Sequence, residues 1–144
     1  MNEMKAILLA EDSPSDAELT IEALAEHRLS NRVTHVRDGV EALEYLRCEG
    51  SFRQRGGGNP AVIILDIQMP RMGGIEVLRA IRSDATLKNI PVVILTSSRE
   101  EQDLVRSYEL GTNAYVVKPV TFVDFVAAVK SLGLFWAVLN EQPL

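Results

Sequence analysis

Short apolar runs alternate along the chain with segments whose apolar residues recur at helical spacing. The runs predict five β-strands, the second of which is more polar and is typical of a sheet edge: Met4–Ala10, Arg32–Arg37, Ala61–Leu65, Pro91–Leu95 and Ala114–Val117. A helical pattern follows each run. The first helix is expected to begin at Ser13-Pro14, with Asp16 as a capping acid, and to run to about residue 27. Leu104, Val105 and Tyr108 mark the fourth helix. Strands that alternate with helices predict an α/β fold, a parallel sheet with helices on both faces.

Polar residues stand at the carboxyl ends of the apolar strands. Parallel strands end at the same edge of a sheet, and ligands bind at that edge where the strand order reverses. Four segments that are distant in sequence are therefore expected to meet in one small site. The residues concerned are Glu11, Asp12, Asp66, Thr96 and Lys118.

Three carboxylates in one site repel each other, at about 4 Å by roughly 4 kcal/mol for each pair. Either proton uptake or a bound cation can relieve this repulsion. Oxygen ligands without Cys or His favour a hard ion such as Mg²⁺. Asp66 would then be placed to attack a phosphoryl group, with Lys118 neutralising its oxygens. A single Asp after a strand is weak evidence, because loops are generally polar, but the combination at successive strand ends is much stronger.

Composition excludes several other classes of protein. The 144 residues fit one domain, and 47% are hydrophobic, as in globular proteins. A membrane span needs about 20 apolar residues, and the longest apolar run of the chain, Leu134–Leu139, is far shorter. The apolar stretch near the N-terminus is too short for a secretory signal. The net charge of −5 argues against nucleic-acid binding. The single Cys48 fits a reducing compartment, so we expect a cytoplasmic protein.

The combined motif resembles the response-regulator receiver domain of two-component signalling. The residues that carry the resemblance are Glu11-Asp12, Asp66, Met69-Pro70, Gly73-Gly74, Thr96 and Lys118-Pro119. The similarity covers about residues 4–132 and implies a flavodoxin-like (βα)5 fold with sheet order 2-1-3-4-5. It also implies a phosphoprotein that accepts its phosphoryl group from a sensor histidine kinase and catalyses only its own phosphorylation and dephosphorylation.

The resemblance assigns a role to individual residues of this chain. Asp66 is the phosphorylated residue, and Mg²⁺ is held by Glu11, Asp12, Asp66 and the backbone carbonyl of Gln68. Thr96 hydrogen-bonds the phosphoryl group and Lys118 pairs with it. Tyr115 corresponds to the switch aromatic, which turns inward when the threonine moves toward phosphate.

A narrower similarity links the chain to the single-domain regulators of cyanobacterial and bacterial phytochromes. It is carried by Ile94–Ser98, Ser107–Leu110 and the tail Leu134–Trp136. The implied kinase is of the phytochrome type, although another kinase remains possible. Gln68 stands where this subfamily often has Asn, and its side chain is expected to face the mouth of the site.

We expect residues 1–132 to form the receiver domain and residues 133–144 to form an extension without an output domain. Phe135 and Trp136 in this extension either fold back on the domain or bind a partner, and a homodimer through the fourth helix, fifth strand and fifth helix is the favoured interpretation. Two other functions stay open. One is a Mg²⁺-dependent phosphatase with an aspartyl-phosphate intermediate, although Gln68 stands where such enzymes carry a second acid. The other is a scaffold that acts without phosphorylation.

Overall fold

The computed structural model describes residues 6–26, 29, 32–56 and 58–134. Strands and helices alternate along this part of the chain. The strands are β1 (Ile7–Ala10), β2 (Val33–Val36), β3 (Val62–Asp66), β4 (Val92–Thr96) and β5 (Ala114–Val117). The helices are α1 (Pro14–Ala25), α2 (Gly39–Arg47), α3 (Gly74–Ser83), α4 (Arg99–Ser107) and α5 (Phe122–Ser131), and a short 3₁₀ turn covers Gly50–Phe52.

The five strands form one parallel sheet in the order β2-β1-β3-β4-β5. This order confirms the flavodoxin-like (βα)5 fold. The order reverses at β1, which lies between β2 and β3. The register pairs Ala10 with Leu65 and Asp66 with Leu95, so the carboxyl ends of β1, β3 and β4 lie side by side.

Two apolar layers hold the sheet between its helices. Alternate strand residues face opposite sides, as the period of a β-strand requires. Ile7 and Leu9 pack on the side of α1 and α5, where Phe125 is fully buried. Leu8 and Ala10 pack on the side of α2, α3 and α4. β1 and β3 are buried along their whole length, which explains why their sequences are apolar runs without alternation.

Four of the helices begin at a side chain that accepts a backbone hydrogen bond from the first turn. These N-cap residues are Ser13, Asp38, Ser98 and Thr121. Pro14 follows the cap of α1, where its missing N–H costs nothing. The caps fix where each chain segment leaves the edge of the sheet that carries the polar residues. No helix within the described ranges has the length and the apolar content to cross a membrane.

The predicted element boundaries were displaced by a few residues. β3 and β4 each extend one residue further than predicted and include Asp66 and Thr96 themselves. Both side chains are therefore fixed by the hydrogen-bonded sheet. The helix predicted to reach about residue 27 ends at Ala25.

Helix α4 differs from its predicted packing. Its pattern was based on Leu104, Val105 and Tyr108, but only Val105 is buried. Leu104 is 55% exposed, and Tyr108, which follows the last turn, is 42% exposed. The remaining residues of this helix are polar, so Val105 is the one side chain of α4 that is buried against the sheet.

Candidate functional site

Three acidic residues meet at the carboxyl edge of the sheet. Glu11 and Asp12 follow β1, and Asp66 ends the neighbouring strand β3. Each residue offers one carboxylate oxygen, and these oxygens all lie within 4.8 Å of one another. Glu11 is fully buried, Asp66 is nearly so, and Asp12 is exposed. An exposed acid beside two buried ones leaves this cluster open to solvent on one side.

The ligand chemistry of this cluster fits a hard divalent cation. Its donors are carboxylate oxygens, the ligands that Mg²⁺, Mn²⁺ and Ca²⁺ prefer. The predicted convergence of Glu11, Asp12 and Asp66 is thus found in the structure. The contribution of the Gln68 carbonyl to a metal site stays a prediction.

Lys118 supplies the positive charge of the site. Its Nζ atom lies 2.8 Å from Oε1 of Glu11, 3.0 Å from Oδ2 of Asp66 and 3.2 Å from Oδ2 of Asp16. Its backbone N–H donates to the carbonyl of Thr96, which fixes the start of the loop after β5. One ammonium group is therefore shared by three carboxylates, from the residue after β1, from α1 and from the end of β3.

The charges of this group shift each other's pKa values. Burial and the neighbouring Asp66 raise the pKa of Glu11 to about 7, against the opposing effect of Lys118. Burial alone would lower the pKa of the Lys118 amine, but the carboxylates of Glu11 and Asp66 outweigh it and raise that pKa above its ordinary value. The raised pKa of Glu11 favours proton uptake, one of the two predicted ways of relieving carboxylate repulsion. The other, a bound cation, stays a prediction, and Lys118 supplies positive charge in addition.

Thr96 adds a hydroxyl group to the same edge. Its Oγ1 atom is buried and finds no hydrogen-bond partner among the described residues. An unpaired buried hydroxyl costs about 1–3 kcal/mol. A polar group bound beside Asp66 would remove this cost, which fits the predicted role of Thr96 as a donor to a phosphoryl group.

The loop after β3 is held close to Asp66 from two sides. Gly74 begins α3, and a Cβ atom there would overlap the carbonyl oxygen of Asp66 and the Cα of Ile67. On the other side, Arg71 pairs with Asp38 at 2.9 Å. Burial favours the neutral form of Asp38, but the hydrogen bonds from Arg71 and from the first turn of α2 lower its pKa overall. These contacts restrict the position of the backbone that follows Asp66.

Gln68 lies in the loop after β3, two residues beyond Asp66. The residue is exposed, and its backbone N–H lies 3.3 Å from Oδ1 of Asp66. Its side-chain amide donates to Oε2 of Glu101, the third residue of α4, at 2.8 Å. The side chain is therefore held by a residue from another segment of the chain.

Tyr115 lies on β5 and is half-buried. The guanidinium group of Arg106 lies over its ring, 4.3 Å from the centroid, which is a favourable cation–π distance. Tyr115 is in register with Ile94, two residues before Thr96 on the neighbouring strand. Its role as a switch stays a prediction. Phe135 and Trp136, the predicted partner contacts, lie outside the described residues.

Two further residues, Asp16 and Glu101, contact the site without having been predicted to do so from the sequence. Asp16 was interpreted as a helix-capping acid, and its N–H does bond to Oγ of Ser13, but its carboxylate pairs with Lys118. Glu101 went unnoticed, although Ser98 and Glu101 form the spacing of a capping box. Its contacts with the Gln68 side chain and with the N–H of Ser97 distinguish Glu101 from an ordinary capping residue.

Comparisons with known proteins agree with this geometry. The family model described as "Response regulator receiver domain" matches residues 7–130. Response regulator Rcp1 of Synechocystis sp. is 37% identical over 135 residues, which cover 94% of this chain and 90% of Rcp1. A solved structure of Rcp1 in its Mn²⁺-bound form has a TM-score of 0.72 and 36% identity, and covers 97% of this chain and 99% of the other.

Two further solved structures are similar over almost the whole chain. The bacteriophytochrome response regulator RtBRR is 60% identical, with a TM-score of 0.89 and coverage of 98% of this chain and 85% of the other. The phosphorylated cyanobacterial phytochrome response regulator RcpA is 40% identical, with a TM-score of 0.75 and coverage of 99% and 100%. The narrower similarity inferred from the tail and from the β4–α4 segment is therefore also seen in whole-chain comparisons.

Proposed function

The chain belongs to the response regulator receiver domain family, and from this premise we propose that it accepts a phosphoryl group from a sensor histidine kinase onto Asp66. The observation that carries the proposal is the shared ion pair of Lys118 with the buried carboxylates of Glu11 and Asp66. A buried nucleophile with an ammonium group at 3.0 Å and a nearby unpaired hydroxyl is equipped for phosphoryl transfer.

In the proposed step, a carboxylate oxygen of Asp66 attacks the phosphorus of a phosphohistidine. The new P–O bond forms as the P–N bond breaks, and the electron pair of that bond returns to the imidazole nitrogen of the kinase. Lys118 stays protonated and pairs with the phosphoryl oxygens, while the Thr96 hydroxyl donates a hydrogen bond to one of them. Hydrolysis by water later returns Asp66 to its carboxylate form.

The proposed cofactor is Mg²⁺, held by Glu11, Asp12 and Asp66 together with the backbone carbonyl of Gln68. The oxygen-only donor set and the Mn²⁺-bound form of the similar protein Rcp1 support a divalent ion here. When bound, this ion supplies positive charge to the oxygens of the group being transferred. Residues of the chain remain responsible for the nucleophile, the ammonium group and the hydroxyl donor.

The proposed kinase is of the phytochrome type and acts in the cytoplasm. Support comes from the two similar proteins whose names refer to bacterial and cyanobacterial phytochromes. Phosphorylation then draws Thr96 and Tyr115 inward and changes the surface formed by α4, β5 and α5. Coupling of this kind is a shift between two populated states.

That surface is proposed to bind a second copy of the chain, with Phe135 and Trp136 adding contacts from the extension. Exposed apolar side chains on α4 and α5, namely Leu104 and Val123, support an interaction surface there. Sedimentation of Trp136→Ala beside the parent protein tests the dimer. We expect a dimer for the parent and a lighter species for the variant, and monomers for both would reject it.

Transfer of radiolabelled phosphate from a phosphorylated phytochrome kinase tests the main proposal. We expect label on the parent protein in the presence of Mg²⁺, none on Asp66→Asn, and loss of the label in hydroxylamine, which cleaves acyl phosphates. Label that persists in Asp66→Asn would refute the assignment. Steady turnover of a simple phosphomonoester would instead favour the phosphatase, for which Gln68 offers no acid.

A further inference from the structure

Glu101 makes contacts on two sides of the proposed phosphorylation site. Its Oε1 atom accepts a hydrogen bond from the backbone N–H of Ser97 at 2.9 Å and a longer one from the Ser97 hydroxyl at 3.4 Å. Its Oε2 atom accepts the side-chain amide of Gln68 at 2.8 Å. One carboxylate thus connects the loop after β3 to the loop after β4.

Helix capping explains only part of this arrangement. Ser98 caps α4 by accepting the N–H of Glu101 at 3.1 Å, and a capping box would return the glutamate to the N–H of Ser98. Here the carboxylate instead bonds to Ser97, one residue earlier. The contact with Gln68 comes from a segment 33 residues away and has no part in helix capping.

Both partners of Glu101 belong to segments that adjoin Asp66. Gln68 donates its side-chain amide to Glu101, and its backbone N–H approaches Oδ1 of Asp66 at 3.3 Å. Ser97 follows Thr96 at the end of β4, the strand that pairs with β3 at Asp66 and Leu95. Glu101 therefore joins the two chain segments that leave the sheet at Asp66 and at Thr96.

A phosphoryl group on Asp66 would add about two negative charges at pH 7 and three oxygens that need donors. Ser97 directly follows Thr96, whose buried hydroxyl is unpaired, so the Ser97 N–H is suited to donate to one of those oxygens. At present Glu101 occupies that N–H, and its own negative charge opposes a second anion nearby.

We propose that Glu101 is a positioning residue that restrains phosphorylation of Asp66 by holding the Ser97 N–H and the Gln68 amide until the incoming phosphoryl group displaces it. This inference rests on the proposed function, whose regulation it describes. Displacement frees the first turn of α4 from the loop after β3, so the charge on Asp66 acts directly on the start of this helix.

The test compares Glu101→Gln with Glu100→Gln. Both changes remove one negative charge from the first turn of α4, and Glu100 is exposed. Each protein is phosphorylated with acetyl phosphate in the presence of Mg²⁺. The rate is measured from the amount of phosphorylated protein, which migrates more slowly in a phosphate-affinity gel. We expect Glu101→Gln to be phosphorylated about three- to tenfold faster than the parent, as the loss of a nearby like charge predicts, and Glu100→Gln to change less than twofold. Equal rates for the two variants, or a slower Glu101→Gln, would overturn the proposal.

A spectroscopic measurement separates the restraint from a general loss of structure. In ¹⁵N–¹H spectra, we expect the Ser97 amide to shift in Glu101→Gln and to stay in place in Glu100→Gln, because only Glu101 accepts its hydrogen bond. Urea denaturation confirms that both variants are folded. An unshifted Ser97 amide would show that the contact does not exist in solution and would also overturn the proposal.

A double-mutant cycle tests the link to Gln68. If the side chains act together, Gln68→Ala and Glu101→Gln accelerate phosphorylation by amounts that are not multiplicative. Multiplicative effects would contradict a shared restraint. Asp66→Asn distinguishes the two levels of failure: a parent protein that acquires no phosphate at Asp66 refutes the proposed function and this inference together. A parent that is phosphorylated there while Glu101→Gln matches Glu100→Gln refutes only the role of Glu101.

Discussion

The ammonium group of Lys118 forms its shortest ion pair with Glu11, whose side chain is fully buried, at 2.8 Å between Nζ and Oε1. Asp66 lies only slightly further away, at 3.0 Å. The proposed nucleophile therefore shares its cation with a second acid. Any change of charge on one of these three groups alters the electrostatic free energy of the other two.

Removal of the ammonium group is expected to destabilise the fold. Lys118→Met leaves two buried carboxylates without their cation, which lowers the free energy of unfolding by about 2–4 kcal/mol at pH 8. The loss is smaller at pH 5.5, where Glu11, with its pKa of about 7, is mostly protonated. Urea denaturation in EDTA measures both values. Lys88→Met, at an exposed position, is the control, and an equal loss in both variants would contradict this account.

Glu11 gives the metal-free protein a pH-dependent stability of definite sign. Its pKa is raised from 4.5 to about 7, so between these values the folded state binds more protons than the unfolded state. Stability is therefore lost as the pH rises from about 4.5 through 7. Relative to Glu11→Gln, the parent should lose about 3 kcal/mol of unfolding free energy between pH 4.5 and pH 8 in EDTA. Parallel curves of stability against pH for the parent and Glu11→Gln would refute this contribution of Glu11. The control is Glu76→Gln, at an exposed position of α3, which should show the same pH dependence as the parent.

Metal binding and stability should be coupled through Asp12. In EDTA, Asp12→Asn is expected to stabilise the protein slightly, by about 0.5 kcal/mol, because it removes one of three mutually repelling charges. Mg²⁺ at ten times its Kd should stabilise the parent by about 1.4 kcal/mol, and the variant much less. Thermal unfolding with and without Mg²⁺ measures the difference. The exposed α1 residue Glu22 supplies the control Glu22→Gln; if Asp12→Asn gained as much from Mg²⁺ as this control, Asp12 would not be a ligand.

A methyl group at Gly74 should disturb the backbone around Asp66. The added Cβ would overlap the carbonyl oxygen of Asp66 and the Cα of Ile67, both of which belong to a backbone that cannot rotate away. We expect Gly74→Ala to lower the free energy of unfolding by about 1–3 kcal/mol. Gly58→Ala is a matched control, since nothing lies within 4 Å of a Cβ there. Similar stabilities of the two variants in urea would disprove the close approach.

The sequence was sufficient to predict the sheet and the central acids. Glu11 follows one buried apolar strand and Asp66 ends another. Because the carboxyl ends of parallel strands lie at the same edge of the sheet, the two residues meet there. Thr96 followed from the same rule. The periodicities that predict strands also fix the edge at which their polar ends lie, so topology alone brought these residues together.

Contacts made by long side chains could not be read in this way. Asp16 reaches Lys118 across 102 residues, and its position in the first turn of α1 is equally suited to an ordinary capping acid. Gln68 and Glu101 meet through two flexible side chains whose rotamers no sequence pattern encodes. The exposure of Leu104 was missed for a related reason, because apolar spacing predicts a helix without saying how far that helix lies from the sheet.

Helix α4 rests on the sheet through the single buried side chain of Val105. By contrast, α5 buries three residues, one of which is the fully enclosed Phe125. The free energy needed to move a helix away from the sheet increases with the apolar surface that the movement exposes. Helix α4 therefore requires less free energy to move than the other four helices. A small change of charge near the first turn of α4 is thus sufficient to displace the whole helix while the other helices keep their packing on the sheet.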